Sequence, residues 1–501
     1  MFYISVKMAD MAALKSKNKR MKKRDYSLFL IPLVLLSVAS CSNNKTIKTS
    51  TTLTKSIPPC SSSGAEEVLV CTKNQTSVLP FDSGVTMTLY GDDSENEEIK
   101  TNFVQKMSYY SALFDRHYDY QYRTSLDEKY QDLINVKTIN DTISELNSME
   151  NNSSKDLVLP EELYQGLKIA VDFSLRSNLK YNLSIGSLST LYDDNITNAQ
   201  AFEYQNYLNQ LSKDDSKLYQ TLVMRDTQKV VVNRDFDKDE YQKASDAVLN
   251  KEELENIFTF KENNILEIRK VKTTDSKYTT SITLGGYGKG YAEKIFASMH
   301  PNAAFLLNGG SSSIMTQNVK TNGKPWKIRI DNPLYRQESS YVSSMYGFIS
   351  TPLSKLNESE FYFESQNSFT LSTSGYYNNY FYTLGDNDEV ILYHHIIDSN
   401  KKISDTYFDS ASIMIDDPGY ADMYSTALMN CSSLQEAEEL RNLLDSTYNF
   451  STWAFYTAHN KLNFEQTIKA YIPEAQKNKF HLMTNKEVDN LYPLITTFNY
   501  F

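Results

Sequence analysis

Cysteine is scarce: the 501 residues hold four, Cys41, Cys60, Cys71 and Cys431. That is too few for a disulfide scaffold, although Cys60 and Cys71 are close enough to pair, and no set shows zinc-ligand spacing. Tryptophan occurs twice against 36 tyrosines, and with only six histidines the adjacent pair His394-His395 stands out. Positive charge is in deficit, 51 Lys and Arg against 62 Asp and Glu, for a net charge of −11. That balance speaks against nucleic-acid binding, which relies on a basic face. No apolar run reaches the ~20 residues of a transmembrane helix, and no internal repeat is present. What remains is of ordinary globular composition, 40% hydrophobic and 23% charged, and is long enough for one large domain or two modest ones.

A short apolar run lies near the start. Lys19, Arg20, Lys22, Lys23 and Arg24 precede Tyr26–Ala39, which closes on Val38-Ala39-Ser40-Cys41. A basic region, a short apolar core and small residues before a cleavage point predict an export signal over residues 1–40, with Met21 as an alternative start. Small residues followed at once by cysteine resemble the bacterial lipobox. The resemblance implies that Cys41 carries lipid, palmitate included, and anchors the mature chain to the outer face of the cell membrane. The alternative is an ordinary signal peptide with an incidental cysteine. Residues 41–78, rich in Ser and Thr with Pro58-Pro59, read as a solvated tether.

Structure is expected from Phe81 onward. Val85–Tyr90 reads as a strand stopped by Gly91-Asp92, and residues 97–120 and 160–177 as helices. In the second helix Pro160 suits the first turn, Glu161 and Glu162 favour the N-terminal dipole, and Leu163, Leu167, Ala170 and Val171 share a face. The polar stretch 143–156 reads as a surface loop, and 201–270 as mixed helix and short strands. Further on, Ala303–Leu307 and an alternating strand with Trp326, Ile328 and Ile330 on one face are expected. Strands alternate irregularly with helices, so the class is α+β.

Four segments carry chemistry. Gly285-Gly286-Tyr287-Gly288-Lys289-Gly290 follows Ile282-Thr283-Leu284 and opens a helix. Its amides could cradle a phosphate, with Lys289 adding charge, or it could be only a flexible connection. Tyr420–Leu428 reads as a helix on which Asp422 and Thr426 share a face. A carboxylate and a hydroxyl so spaced suit Mg²⁺, or Asp422 caps the helix and Thr426 bonds back to a carbonyl. In Tyr393–Asp398 alternation sends His394 and His395 to opposite faces, one a general base and the other packed or exposed. The run Leu371–Tyr377 places hydroxyls before Gly375, to bind phosphate or to turn the chain.

The order of these segments resembles that of the FAD:protein FMN transferases, the ApbE-type family, from near Phe81 to near Trp453. Its Leu-Gly-Gly turn with Lys-Gly-Tyr-Ala is matched by Leu284-Gly285-Gly286 and Lys289–Ala292, and its Asn-Gly-Gly by Asn308-Gly309-Gly310. Its Pro-Trp and Asp-x-Pro are matched by Pro325-Trp326 and Asp331–Pro333, and its Thr-Ser-Gly-x-Tyr by Thr373–Tyr377. His395–Asp398 matches His-Ile-Ile-Asp, and Ala421–Ala427 matches Ala-Asp-x-x-Ser-Thr-Ala. Phe81-Asp82-Ser83 is similar to the opening strand, and Asn178–Tyr192 looks like the segment that lines the flavin. Departures are Thr283 and Asn182 where the family has aspartate, Tyr287-Gly288 for its Ile-Ala, and Ser399–Lys402 for its Pro-x-Thr-Gly.

The resemblance implies one large α+β domain related to the T-fold over 79–460, with a central flavin cleft and an extension over 461–501. It implies transfer of FMN from FAD to a Ser or Thr of an acceptor flavoprotein, with release of AMP. The alternatives are hydrolysis of FAD to FMN and AMP, or a flavin-binding lipoprotein that has lost catalysis. The implied roles are Mg²⁺ at Gly286, Asp422, Ser425 and Thr426, and His395 as base. Flavin-nucleotide contacts fall to Phe81, Lys180, Tyr181, Asn182, Thr283, Lys289, Thr373 and Ile397.

Overall fold

Alternation of apolar and polar residues puts Val85, Met87 and Leu89 almost wholly out of solvent on one face of the strand Val85–Tyr90, and that strand lies in a nine-stranded sheet. The computed structural model describes residues 65–70, 81, 85–90, 93–117, 136–196, 232–233, 236–275, 277–309, 312–320, 323–330, 360–376, 379–385, 387, 389–459, 466–472, 474–483 and 494–500. The signal over 1–40, Cys41, Cys60, Cys71, Asp82-Ser83, Gly310, Asp331–Pro333 and Tyr377 lie outside them.

Across the sheet the strands run Ala65–Val70, Val85–Tyr90, Ala304–Gly309, Ser313–Gln317, Phe369–Gly375, Ser410–Ile415, Trp453–His459, Gln466–Ile472 and Leu494–Tyr500. All neighbours are antiparallel except the last two, which are parallel. Ser410–Ile415 is buried at every position, as a central strand covered on both faces must be.

One face carries helices. Asp93–Phe114, Glu161–Arg176, Gly288–Met299 and Pro418–Met429 contribute Phe103, Leu167, Phe296 and Met423, all fully buried, to the main core. Leu163, Leu167, Ala170 and Val171 are the buried face of Glu161–Arg176, with Pro160 at its cap and both acids in its first turn. On the other face a three-stranded sheet of Trp326–Ile330, Glu360–Ser365 and Phe480–Met483 closes a second core. Trp326, Ile328 and Ile330 meet Phe369, Leu371 and Trp453 there. A third cluster joins Leu188, Tyr192, Phe381, Tyr393 and Ile397. Mixed helices and sheets sharing these cores make one α+β domain, as expected. Among the described residues no helix is long and apolar enough to cross a membrane.

Three expectations need correction. The stretch 143–156 is not a loop: it holds the end of the helix Ile139–Ser148 and the start of the strand Ser154–Val158. Thr138 and Asp141 form a reciprocal capping box, which starts a helix despite few apolar residues. The tether expected over 41–78 contains the strand Ala65–Val70, which edges the main sheet. And the region beyond 460 is no appendage, because Gln466–Ile472 and Leu494–Tyr500 extend that sheet and Phe480–Met483 extends the small one.

Candidate functional site

The site is built where the helices Gly288–Met299 and Pro418–Met429 cross beneath the strands Ser313–Gln317 and Phe369–Gly375. Asp417 caps the second helix, accepting from the amides of Gly419 and Tyr420, with Pro418 in the first turn. Asp422 is therefore released from capping and points inward, 6% exposed. Its Oδ2 accepts from the Gly290 amide at 2.9 Å and its Oδ1 from the Ser372 hydroxyl at 2.6 Å. The first bond joins the glycine turn to the acidic helix, two segments that the sequence leaves 132 residues apart.

Hydroxyls crowd around that carboxylate. Ser425 Oγ lies 3.2 Å from Ser372 Oγ and 2.8 Å from Ser374 Oγ, and Ser374 Oγ lies 3.3 Å from Thr426 Oγ1. Gly286 approaches the same group: a Cβ there would stand 3.1 Å from Thr426 Oγ1 and 3.2 Å from the Tyr181 ring. Gly286, Asp422, Ser425 and Thr426 thus lie in one neighbourhood. Burial raises Asp422 to about 6, against the opposing pull of Ser372, Lys289 and the Gly290 amide. Tyr181 is buried beside it with its hydroxyl unpartnered, and burial followed by the Asp422 charge raises that phenol far above its ordinary value.

The two histidines divide as alternation predicts. His394 is fully buried, stacked on Tyr376 with ring centroids 5.2 Å apart and Nε2 2.7 Å from the Asp405 carbonyl. His395 is partly exposed, its Nδ1 3.3 Å from the Asn379 carbonyl. Desolvation of its ring, then the nearby Lys289 charge, lower it to about 4 against the Asn379 bond. Lys289 therefore acts on His395 and Asp422 alike, which ties the histidine, the glycine turn and the acid into one electrostatic unit.

The residues expected to contact flavin are placed unevenly. Phe81 packs near the turn, its ring 3.6 Å from a Cβ built on Gly288, and its amide bonds Ser111. Thr283 stands ahead of the turn and its Oγ1 accepts from the Gly285 amide at 3.1 Å, the local bond an aspartate would also make. Thr373 points to the far face of its strand, where its hydroxyl meets Ser412 at 2.7 Å. Its neighbours face the other way, Ser372 onto Asp422 and Ser374 onto Ser425 and Thr426, and the period-2 alternation of the strand is the signal that would have found them.

Three further residues have other work. Lys180 Nζ is held by Asp398 at 3.0 Å, Glu436 at 2.7 Å and the Asn430 carbonyl at 2.7 Å. Asn182 donates to the Leu249 carbonyl and to Ser399, and accepts from the amide and hydroxyl of Ser184. Every donor and lone pair of its amide is taken, so it is a structural tie with no capacity left for a ligand. Ile397 is 2% exposed within the third core cluster. In this structure all three are engaged with other parts of the fold.

Several solved structures are similar to this chain. The ApbE protein of Thermotoga maritima is 17% identical, with 78% of this chain and 94% of that chain covered at a TM-score of 0.47. The flavin transferase ApbE of Vibrio cholerae is 12% identical, with 81% and 97% covered at 0.46. The flavinyl transferase ApbE of Pseudomonas stutzeri, in apo form, is 13% identical, with 85% and 97% covered at 0.46. No curated protein matches in sequence. The ApbE family model matches residues 106–449, well over half of the chain, and the protein therefore belongs to the ApbE family.

Proposed function

We propose that this protein is an FAD:protein FMN transferase, which splits the pyrophosphate of FAD, releases AMP and joins FMN as a phosphoester to a Ser or Thr of an acceptor flavoprotein. The observation that carries the reading is the 2.9 Å bond between the Gly290 amide and Asp422, which sets an acid against an anion-binding turn. The donors gathered there are hard oxygens, suited to Mg²⁺. Among the described residues no group of three His, Cys, Asp or Glu that could hold a metal is present, so the proposed ion would rest on the single carboxylate of Asp422 and on substrate phosphates. Asp422, Ser425, Thr426 and the Gly286 carbonyl would hold the ion, and the unpartnered Tyr181 hydroxyl beside them leaves an oxygen to spare. Mg²⁺ there supplies neutralisation of the pyrophosphate and polarisation of the phosphorus.

The remaining work falls to the chain. The Lys289 side chain and the helix N-terminus that carries it would hold the phosphates, while the amides of Gly285, Tyr287, Gly288 and Gly290 are spent within the fold. His395 Nδ1–H faces the Asn379 carbonyl, leaving Nε2 to take the proton of the acceptor hydroxyl. The acceptor oxygen bonds to the FMN phosphorus, the pyrophosphate P–O bond breaks, and the bridging oxygen leaves with AMP. Because His395 is partly exposed, water could replace the acceptor, and hydrolysis of FAD is the second reading. Lipid attachment at Cys41 would place this chemistry on the outer face of the cell membrane.

The test incubates the protein with FAD, Mg²⁺ and a flavin-accepting domain. Covalent fluorescence on a denaturing gel together with AMP supports transfer. FMN and AMP without label support hydrolysis, and intact bound FAD overturns both.

A further inference from the structure

Glu293 lies one helical turn past Gly290 on Gly288–Met299 and is 1% exposed. Its Oε2 accepts from the Ser313 hydroxyl at 2.7 Å, while its Oε1 has no partner. Space for that oxygen exists because residue 309 is glycine: a Cβ there would stand 2.7 Å from it. Ser313 is paired in register with Ser372, whose hydroxyl bonds Asp422. Glu293 and Asp422 are thus linked twice, through the turn from Gly290 to Glu293 and through the facing serines. A buried acid with one unsatisfied oxygen costs stability that a well-packed apolar side chain would not, so its presence calls for a use.

We propose that Glu293 is the countercharge reserve of the cation site, neutral beforehand and ionised when a divalent cation settles against Asp422, so that cation capture releases a proton to solvent. Glu293 is a positioning residue here, since it touches no ligand. The charged groups acting on it are Asp422 from the Pro418–Met429 helix and Lys289 from its own. The strands beside it present Gly309 and Ser313, and the Asp93–Phe114 helix packs Phe103 against Phe296. Burial, then the Asp422 charge, raise Glu293 to about 8, against Ser313 and Lys289, and an added cation favours the ionised form.

The inference rests on the cation reading of Asp422, and the experiment separates the two. Mg²⁺ alone is titrated calorimetrically into the full chain at pH 7 in two buffers of different ionisation enthalpy. Release of about one proton per ion, with affinity rising about tenfold per pH unit between pH 6.5 and 7.5, is expected for wild type. In Glu293→Gln the release disappears and binding weakens. Binding without proton release in wild type, which needs no variant to fold, overturns the inference and leaves the cation reading standing. Equal release from wild type and Glu293→Gln also overturns it. No Mg²⁺ binding by wild type overturns both.

Discussion

The amide of Gly290 and the carboxylate of Asp422 are 2.9 Å apart, so the glycine-rich turn and the acid form a single unit. The contact depends on a missing side chain. A Cβ at 290 would collide with the Pro418 carbonyl and stand 2.8 Å from Asp422 Oδ2.

Gly290→Ala should therefore push the two helices apart. The expected cost is about 1–3 kcal/mol, typical of overpacking a tight contact, read from the urea midpoint. Flavin transfer should fall more than the stability loss explains. Unchanged stability and rate would mean that the helices are not held as described.

The pH profile should report Asp422 and not His395. Asp422 titrates near 6 and must be ionised, whereas His395 is lowered to about 4 and is already neutral in that range. With Mg²⁺ below saturation the rate should have an acid limb near pH 6 that moves lower as Mg²⁺ is raised, and the residual activity of His395→Gln, ~10²–10⁴-fold slower, should keep that limb. For stability the sign is the reverse. The folded state holds the Asp422 proton more tightly than the unfolded chain does, so this contribution is full below about 4 and is lost as pH rises through about 6. Asp422→Asn should abolish transfer while flattening that loss, as followed by thermal unfolding from pH 4 to 7.

Lys180→Met distinguishes a structural tie from a flavin contact. Asp398 is fully buried, and removing its partner leaves a buried charge, a loss of about 3–5 kcal/mol. The lower end is expected because Lys401 Nζ stands 3.8 Å away. A variant of wild-type stability with weakened FAD binding would return Lys180 to the ligand.

The main elements were legible where local signals agree. Pro160, Glu161 and the spaced apolar residues mark one helix, and alternation in Val85–Tyr90 and in Trp326–Ile330 marks two buried faces. That Gly286, Asp422, Ser425 and Thr426 belong to one site was an implication of the family resemblance, and the bond from Gly290 to Asp422 was not foreseen. Hidden from the sequence were contacts that only tertiary structure creates. Nothing local shows that Lys180 meets Asp398 and Glu436, that Asn182 spends its amide on Leu249 and Ser399, or that Glu293 is sealed against Gly309. The helix Ile139–Ser148 was missed because its capping box outweighs its thin apolar face. The strands beyond 460 were missed because a sheet edge takes its stability from a distant partner.

The strand Val85–Tyr90 finds its inner neighbour only at Ala304–Gly309. During synthesis the early half of the main sheet cannot close until more than 200 further residues have been made. Loop closure over such spans is slow, and unpaired strand segments left waiting are prone to stick to one another. The yield of active protein should thus be limited by how well nascent chains are kept apart, more than by the resilience of the finished fold.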